Sequence, residues 1–103
     1  MMPAKRALIM HPYDNVATAL EEIRTGEEVA IPVVGTALTL RALEEIPFGF
    51  KIALQEIPKG EIIRKYGETI GRAGTNIARG ALVHIHNLEG MRARGDLERR
   101  GNG

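Results

Sequence analysis

The stretch Ala53-Leu54-Gln55-Glu56-Ile57-Pro58-Lys59-Gly60-Glu61-Ile62-Ile63 decides the fold of this chain. Its spacing starts like that of a helix, but Pro58 removes a backbone donor and Gly60 follows two residues later, so a helix has no length in which to form. A strand that ends in a tight turn satisfies the same residues. Gly60 supplies a positive φ without steric cost, Ile57 anchors the turn in a core, and Ile63 resumes the pleat. The phrase recurs in the form Glu or Asn, then Ile-x-x-Gly-x-x, then Val or Ile. It stands at Glu22 to Val29, Glu45 to Ile52 and Asn76 to Val83, and Ala19-Leu20-Glu21-Glu22-Ile23 repeats the upstream part of the opening stretch. Such self-similarity outranks any single element assignment.

The reading spreads outward from there. Asn15 to Arg24 by itself resembles an amphipathic helix with Asp14 as N-cap and Gly26 as its stop, but its likeness to Ala53–Gly60 predicts a strand and one helical turn in both. Between the turns lie β-formers at Ala7–Met10, Val29–Val34, Ala37–Leu40, Lys51–Leu54, Ile62–Lys65 and Leu82–Ile85. The expected fold is mostly β, clip-like, with short strands and little helix. Residues 1–87 form the domain, and 88–103, rich in charge and glycine, form a mobile or partner-ordered tail. At 103 residues there is room for one domain with a modest core, which makes a partner surface or an oligomeric assembly an expected supplement.

Composition excludes several functions. Fourteen basic against thirteen acidic residues is too balanced for a nucleic-acid binder, and no apolar run approaches the length of a membrane span. The absence of cysteine removes disulfides and thiolate chemistry, fits a cytoplasmic location, and leaves histidine, lysine and carboxylates to act. His84-Ile85-His86-Asn87 ends the last expected strand. Alternation there would aim both imidazoles to one face about 6.5 to 7 Å apart, within reach of one metal ion or substrate, although two ligands alone do not make a site. His11 stands in a loop beside Asp14 and Asn15. Lys51, and Lys65-Tyr66 before the glycine-rich Gly67 to Gly74, could meet an anionic substrate group, against the simpler reading of solvated lysines at strand ends. Nucleotide-binding, serine-hydrolase and zinc-protease motifs do not occur.

Taken in order, Asp14-Asn15-Val16-Ala17, Thr39-Leu40-Arg41, Ile46-Pro47-Phe48-Gly49 with Lys51-Ile52-Ala53-Leu54, Ile63-Arg64-Lys65-Tyr66-Gly67 with Ile70-Gly71, and His84-x-His86-Asn87 resemble the small SAF-type domain of altronate and galactarate dehydratases. The resemblance runs from about Arg6 to Asn87 and implies a β-clip architecture. It implies a small subunit that works with a large dehydratase chain, as in altronate dehydratase and sulfolactate sulfo-lyase small subunits, on a small hydroxy acid. The implied reaction is β-elimination, with a divalent metal, commonly iron(II). It also implies roles: His84, His86 and Lys65 in catalysis, with Lys51, Lys65, Tyr66 and Asn87 on the substrate and His11, His84 and His86 on the metal. A non-catalytic carbohydrate- or protein-binding SAF module is the rival. One departure stands out: Gly49-Phe50-Lys51 replaces the family's common Gly-His-Lys, and Phe50 can neither ligate a metal nor move a proton.

Overall fold

The computed structural model describes residues 3–90. Its order is β1 (Lys5–Leu8), β2 (Val16–Ala19), β3 (Glu28–Val33), β4 (Thr36–Arg41), β5 (Lys51–Ala53), β6 (Ile62–Lys65), β7 (Glu68–Ala73), β8 (Leu82–Val83) and β9 (Leu88–Gly90). The fold is mostly β, as expected from sequence. No helix occurs among the described residues, so the helical turn expected after β2 and after β5 is replaced by an irregular bend leading to an isolated bridge. One sheet has six strands in the order β4-β3-β1-β2-β5-β8, and the second has three, β6-β7-β9. Among the described strands only β1 and β3 pair in parallel. Leu88, Glu89 and Gly90, assigned to the tail by sequence, instead pair with β7 as β9. The remainder of that tail, 91–103, lies outside the described residues.

The recurrent phrase builds the molecule. All four turn glycines, Gly26, Gly49, Gly60 and Gly80, hold φ between 85° and 89°, where an L side chain is disfavoured. Each is the third residue of a turn closed by a hydrogen bond, such as Phe50 N to Pro47 O at 3.0 Å and Glu61 N to Pro58 O at 3.0 Å. This is the type II arrangement that demands positive φ at that place. Ile23 and Ile46 exchange two backbone hydrogen bonds, and so do Ile57 and Ile77. Each turn also brackets one buried alanine of the opposite copy. Gly26 N donates to Ala42 O, Gly49 N to Ala19 O, Gly60 N to Ala73 O and Gly80 N to Ala53 O. The copies therefore interlock in two reciprocal pairs. Ala42-Leu43-Glu44-Glu45-Ile46 reproduces Ala19 to Ile23 letter for letter, a third match that reading from the opening stretch passed over.

Two apolar cores follow from the two pairs. Ile23, Val29, Ile31, Leu40, Ile46 and Ile52 belong to the first. Val16, Ala53, Ile57, Ile63, Ile77 and Val83 belong to the second. Because side chains alternate along a strand, β2 and β5 feed both. Ala17, Ala19 and Ile52 face one core, while Val16 and Ala53 face the other. Each fully buried isoleucine contributes about 1.5–3 kcal/mol on the usual area scale.

Candidate functional site

The second sheet is fastened to the first by two adjacent polar side chains just before β2. Asn15 donates to Ile62 O at 2.9 Å and accepts from Arg64 N at 2.9 Å. Asp14 accepts from Tyr66 N at 3.0 Å and from Gly67 N at 2.8 Å. Both are buried. Their oxygens are therefore committed to backbone, and Asp14 caps no helix. What they hold is the β6–β7 hairpin tip, where Tyr66 and Gly67 have φ of 60° and 73°. Two consecutive positive φ values make a type I′ turn, normally the place of Asn-Gly, and a tyrosine there is strained by roughly 1 kcal/mol or more. The Asp14 carboxylate offsets that strain by meeting both amide hydrogens.

Lys65 leaves this tip with its Nζ 5.0 Å from the Tyr66 ring centroid. Lys51 lies on β5 with Val83 and Thr18 as its cross-strand partners. Along that face Val16 and Ala53 are buried in the second core, and Thr18 and Lys51 continue it outward to half-burial. Burial lowers the Lys51 pKa below its ordinary value of 10.5, and the nearby positive charge of Lys65 lowers it further. The ion pairs between two described residues run from Lys5 and Arg6 to Glu21, so neither Lys51 nor Lys65 meets a carboxylate among the described residues. The Thr18 hydroxyl is buried and has no hydrogen-bond partner. Sequence reading passed over it, because a threonine opposite a lysine becomes visible only once the register is known.

The histidines are placed differently from expectation. β8 stops at Val83, and His84 to Asn87 form a turn closed by Asn87 N to His84 O at 3.0 Å. Asn87 causes this. Its Oδ1 accepts from His84 N at 2.9 Å and its Nδ2 donates to Leu82 O at 2.8 Å, an alternative to the strand ladder that asparagine side chains commonly offer. The strand alternation expected through Ile85 is therefore absent. Ile85 is 82% exposed, His86 is exposed, and His84 packs against Phe50 with ring centroids 4.5 Å apart. Asn87 is buried and bonded to backbone through both side-chain ends. The aromatic ring that replaces the family's common histidine thus touches one of the two candidate imidazoles directly.

His11 sits at the other end of the region. Its ring lies 2.8 Å from where a Cβ on Gly67 would stand, so only glycine admits it there. Its Nδ1 accepts from Tyr13 N at 3.2 Å. The structure thus groups Lys51, Lys65 and Tyr66, packs His11 against the hairpin tip, and sets His84 beyond Val83 on the strand that pairs with Lys51. Among the described residues no three His, Cys, Asp or Glu side chains converge as metal ligands. What the chain presents is donor chemistry: two ammonium groups and a hydroxyl, fit for an oxyanion. No helix of the described residues is long and apolar enough to cross a membrane.

The chain is similar to known proteins. The family model for the altronate/galactarate dehydratase SAF domain matches residues 5–91. Altronate dehydratase of Escherichia coli (strain K12) is 42% identical over 78 residues, which is 76% of this chain and 15% of that protein. Altronate dehydratase of Bacillus subtilis (strain 168) is 37% identical over 85 residues, covering 82% and 16%. The (2R)-sulfolactate sulfo-lyase subunit alpha of Chromohalobacter salexigens is 28% identical over 88 residues, covering 82% of this chain and 94% of that subunit. The chain thus spans about one-sixth of the dehydratases it matches and nearly all of the sulfo-lyase subunit. On the match from residue 5 to residue 91, the chain belongs to the SAF-domain family of the altronate/galactarate dehydratases.

Proposed function

We propose that this chain is the small, substrate-gripping subunit of a β-eliminating lyase that acts on a hydroxy acid together with a large catalytic chain. The observation that carries the reading is the pairing of Lys51 and Lys65: two ammonium groups on different strands, close enough for one to lower the pKa of the other, with no carboxylate partner among the described residues. Removing the proton α to a carboxylate moves an electron pair onto that carboxylate. Fixed cations beside it stabilise the enediolate as it forms. The β-substituent then leaves with its bonding pair, and the enol product becomes a 2-keto-3-deoxy acid. His84, next to the strand that pairs with Lys51, moves the proton. His86, exposed on the same turn, faces outward to the large chain.

An altronate-like sugar acid losing water is the first reading. Loss of sulfite from sulfolactate is the second, favoured by one observation: the sulfo-lyase subunit alpha is matched over 94% of its length. Both use the same anion grip. Reconstitution with the large chain, assayed on altronate, galactarate and sulfolactate, tests the proposal. Lys65→Met is expected to lower kcat/KM about tenfold or more on the active substrate, the loss associated with one charged hydrogen bond. Full turnover in Lys65→Met and in His84→Ala would overturn it in favour of a non-catalytic binding module.

A further inference from the structure

We infer that Thr18 is the third member of the oxyanion site, donating its hydroxyl hydrogen to the same ligand group that Lys51 and Lys65 hold. The inference rests on the reading above and adds a residue that neither sequence motif nor family resemblance singled out. Thr18 and Lys51 are direct partners across the β2–β5 pair, so their side chains leave the sheet on the same face, with Cβ atoms about 4.5–5.5 Å apart. Leu8 is the partner on the other side of Thr18, and its side chain has no polar atom to offer. The Thr18 Oγ1 is shut off from water and unpartnered. It is the one such side-chain atom among the described residues, in a fold whose other buried polar side chains, Asp14, Asn15 and Asn87, are all hydrogen-bonded.

An orphaned buried hydroxyl costs stability and calls for a cause. The neighbouring groups identify what is missing. Lys51 and Lys65 can only donate, so what Thr18, Lys51 and Lys65 lack in common is an acceptor. A carboxylate or sulfonate supplies acceptor lone pairs to all three at once, and a charge-assisted hydrogen bond from a hydroxyl is stronger than a neutral one. The occupant is therefore an oxyanion of a small acid, and Thr18 fixes which of its oxygens lies over the β2–β5 pair.

Thr18→Val replaces the hydroxyl with a methyl of similar shape and separates fold from binding. The full chain, isotopically labelled, is titrated with glycerate and with sulfolactate, reading amide shifts at Thr18, Lys51 and Lys65. Melting temperature is read alongside. Thr18→Val is expected to melt no lower than the parent while binding whichever acid the parent takes about tenfold more weakly. Lys51→Met is expected to abolish the saturable shifts. If Thr18→Val binds as the parent does while Lys51→Met does not, the Thr18 assignment is overturned and the lysine site stands. If the parent shows no saturable shift with either acid, or Lys51→Met binds unchanged, the lysine site itself falls, and Thr18 with it. Sulfolactate carries both groups, so tighter binding of sulfolactate than of glycerate identifies the sulfonate as the group held, and equal binding identifies the carboxylate.

Discussion

Lys51 shows how a single residue can carry both a cost and a use. Burial first, and Lys65 second, disfavour its charged form. Because its pKa is lowered in the folded chain, its contribution to stability is largest above 10.5, the ordinary value, and falls as pH drops through the lowered one. The unfolded chain takes up that proton more readily than the folded chain does. An anion reverses the preference by favouring the ammonium form. Titration of the Lys51 ε-methylene by carbon NMR is expected to give a midpoint below that of exposed lysines. The midpoint should rise in Lys65→Met, yet stay below the ordinary value because the burial cost remains. A midpoint indifferent to Lys65 would remove the electrostatic link between the two lysines. The sequence showed Lys51 opening one strand and Lys65 closing another. It did not show that they approach each other, since Lys51 and Lys65 come from different sheets, which the second core and the Asp14 and Asn15 clasps bring together.

At the scale of elements, the turn is the repeating unit, and its four glycines do not cost the same to replace. At Gly49 a Cβ would meet nothing within 4 Å, so Gly49→Ala carries conformational strain alone, about 1–2 kcal/mol. At Gly80 the same Cβ would collide with the carbonyl of Arg41, and Leu43 stands close by as well. Gly80→Ala is therefore expected to destabilise by clearly more than Gly49→Ala in parallel urea melts. Equal losses would show that the second collision relaxes freely. The turns were legible because the physics is local: an isoleucine, a glycine three residues on, and a resuming apolar residue. The strands beside them were legible for the same reason, with Ile62–Lys65 matching to the residue. β7 was not, because Gly67, Gly71 and Gly74 mask a strand whose pairing comes from β6 and β9. The histidine turn was not, because its geometry is set by what the Asn87 side chain bonds to rather than by any periodicity.

For the whole molecule, the shared seam matters most. β2 and β5 pair with each other and present one face to each core, so neither core closes without both strands. Ile31→Val in the first core and Ile63→Val in the second are each expected to cost about 0.5–1.5 kcal/mol and to lower one common transition. Calorimetry showing two separated transitions in either variant would mean that the halves stand independently. The halves are alike in plan but not in how their hairpins end. The Val34–Gly35 tip reaches solvent with Val34 99% exposed, and no side chain ties it down among the bonds of the described residues. The Tyr66–Gly67 tip is clasped by Asp14 and backed by His11. The repeat thus leaves one loop free to lengthen, accept a tag or acquire a new recognition segment at little energetic cost, while its counterpart is fixed in length by the two amides that Asp14 grips.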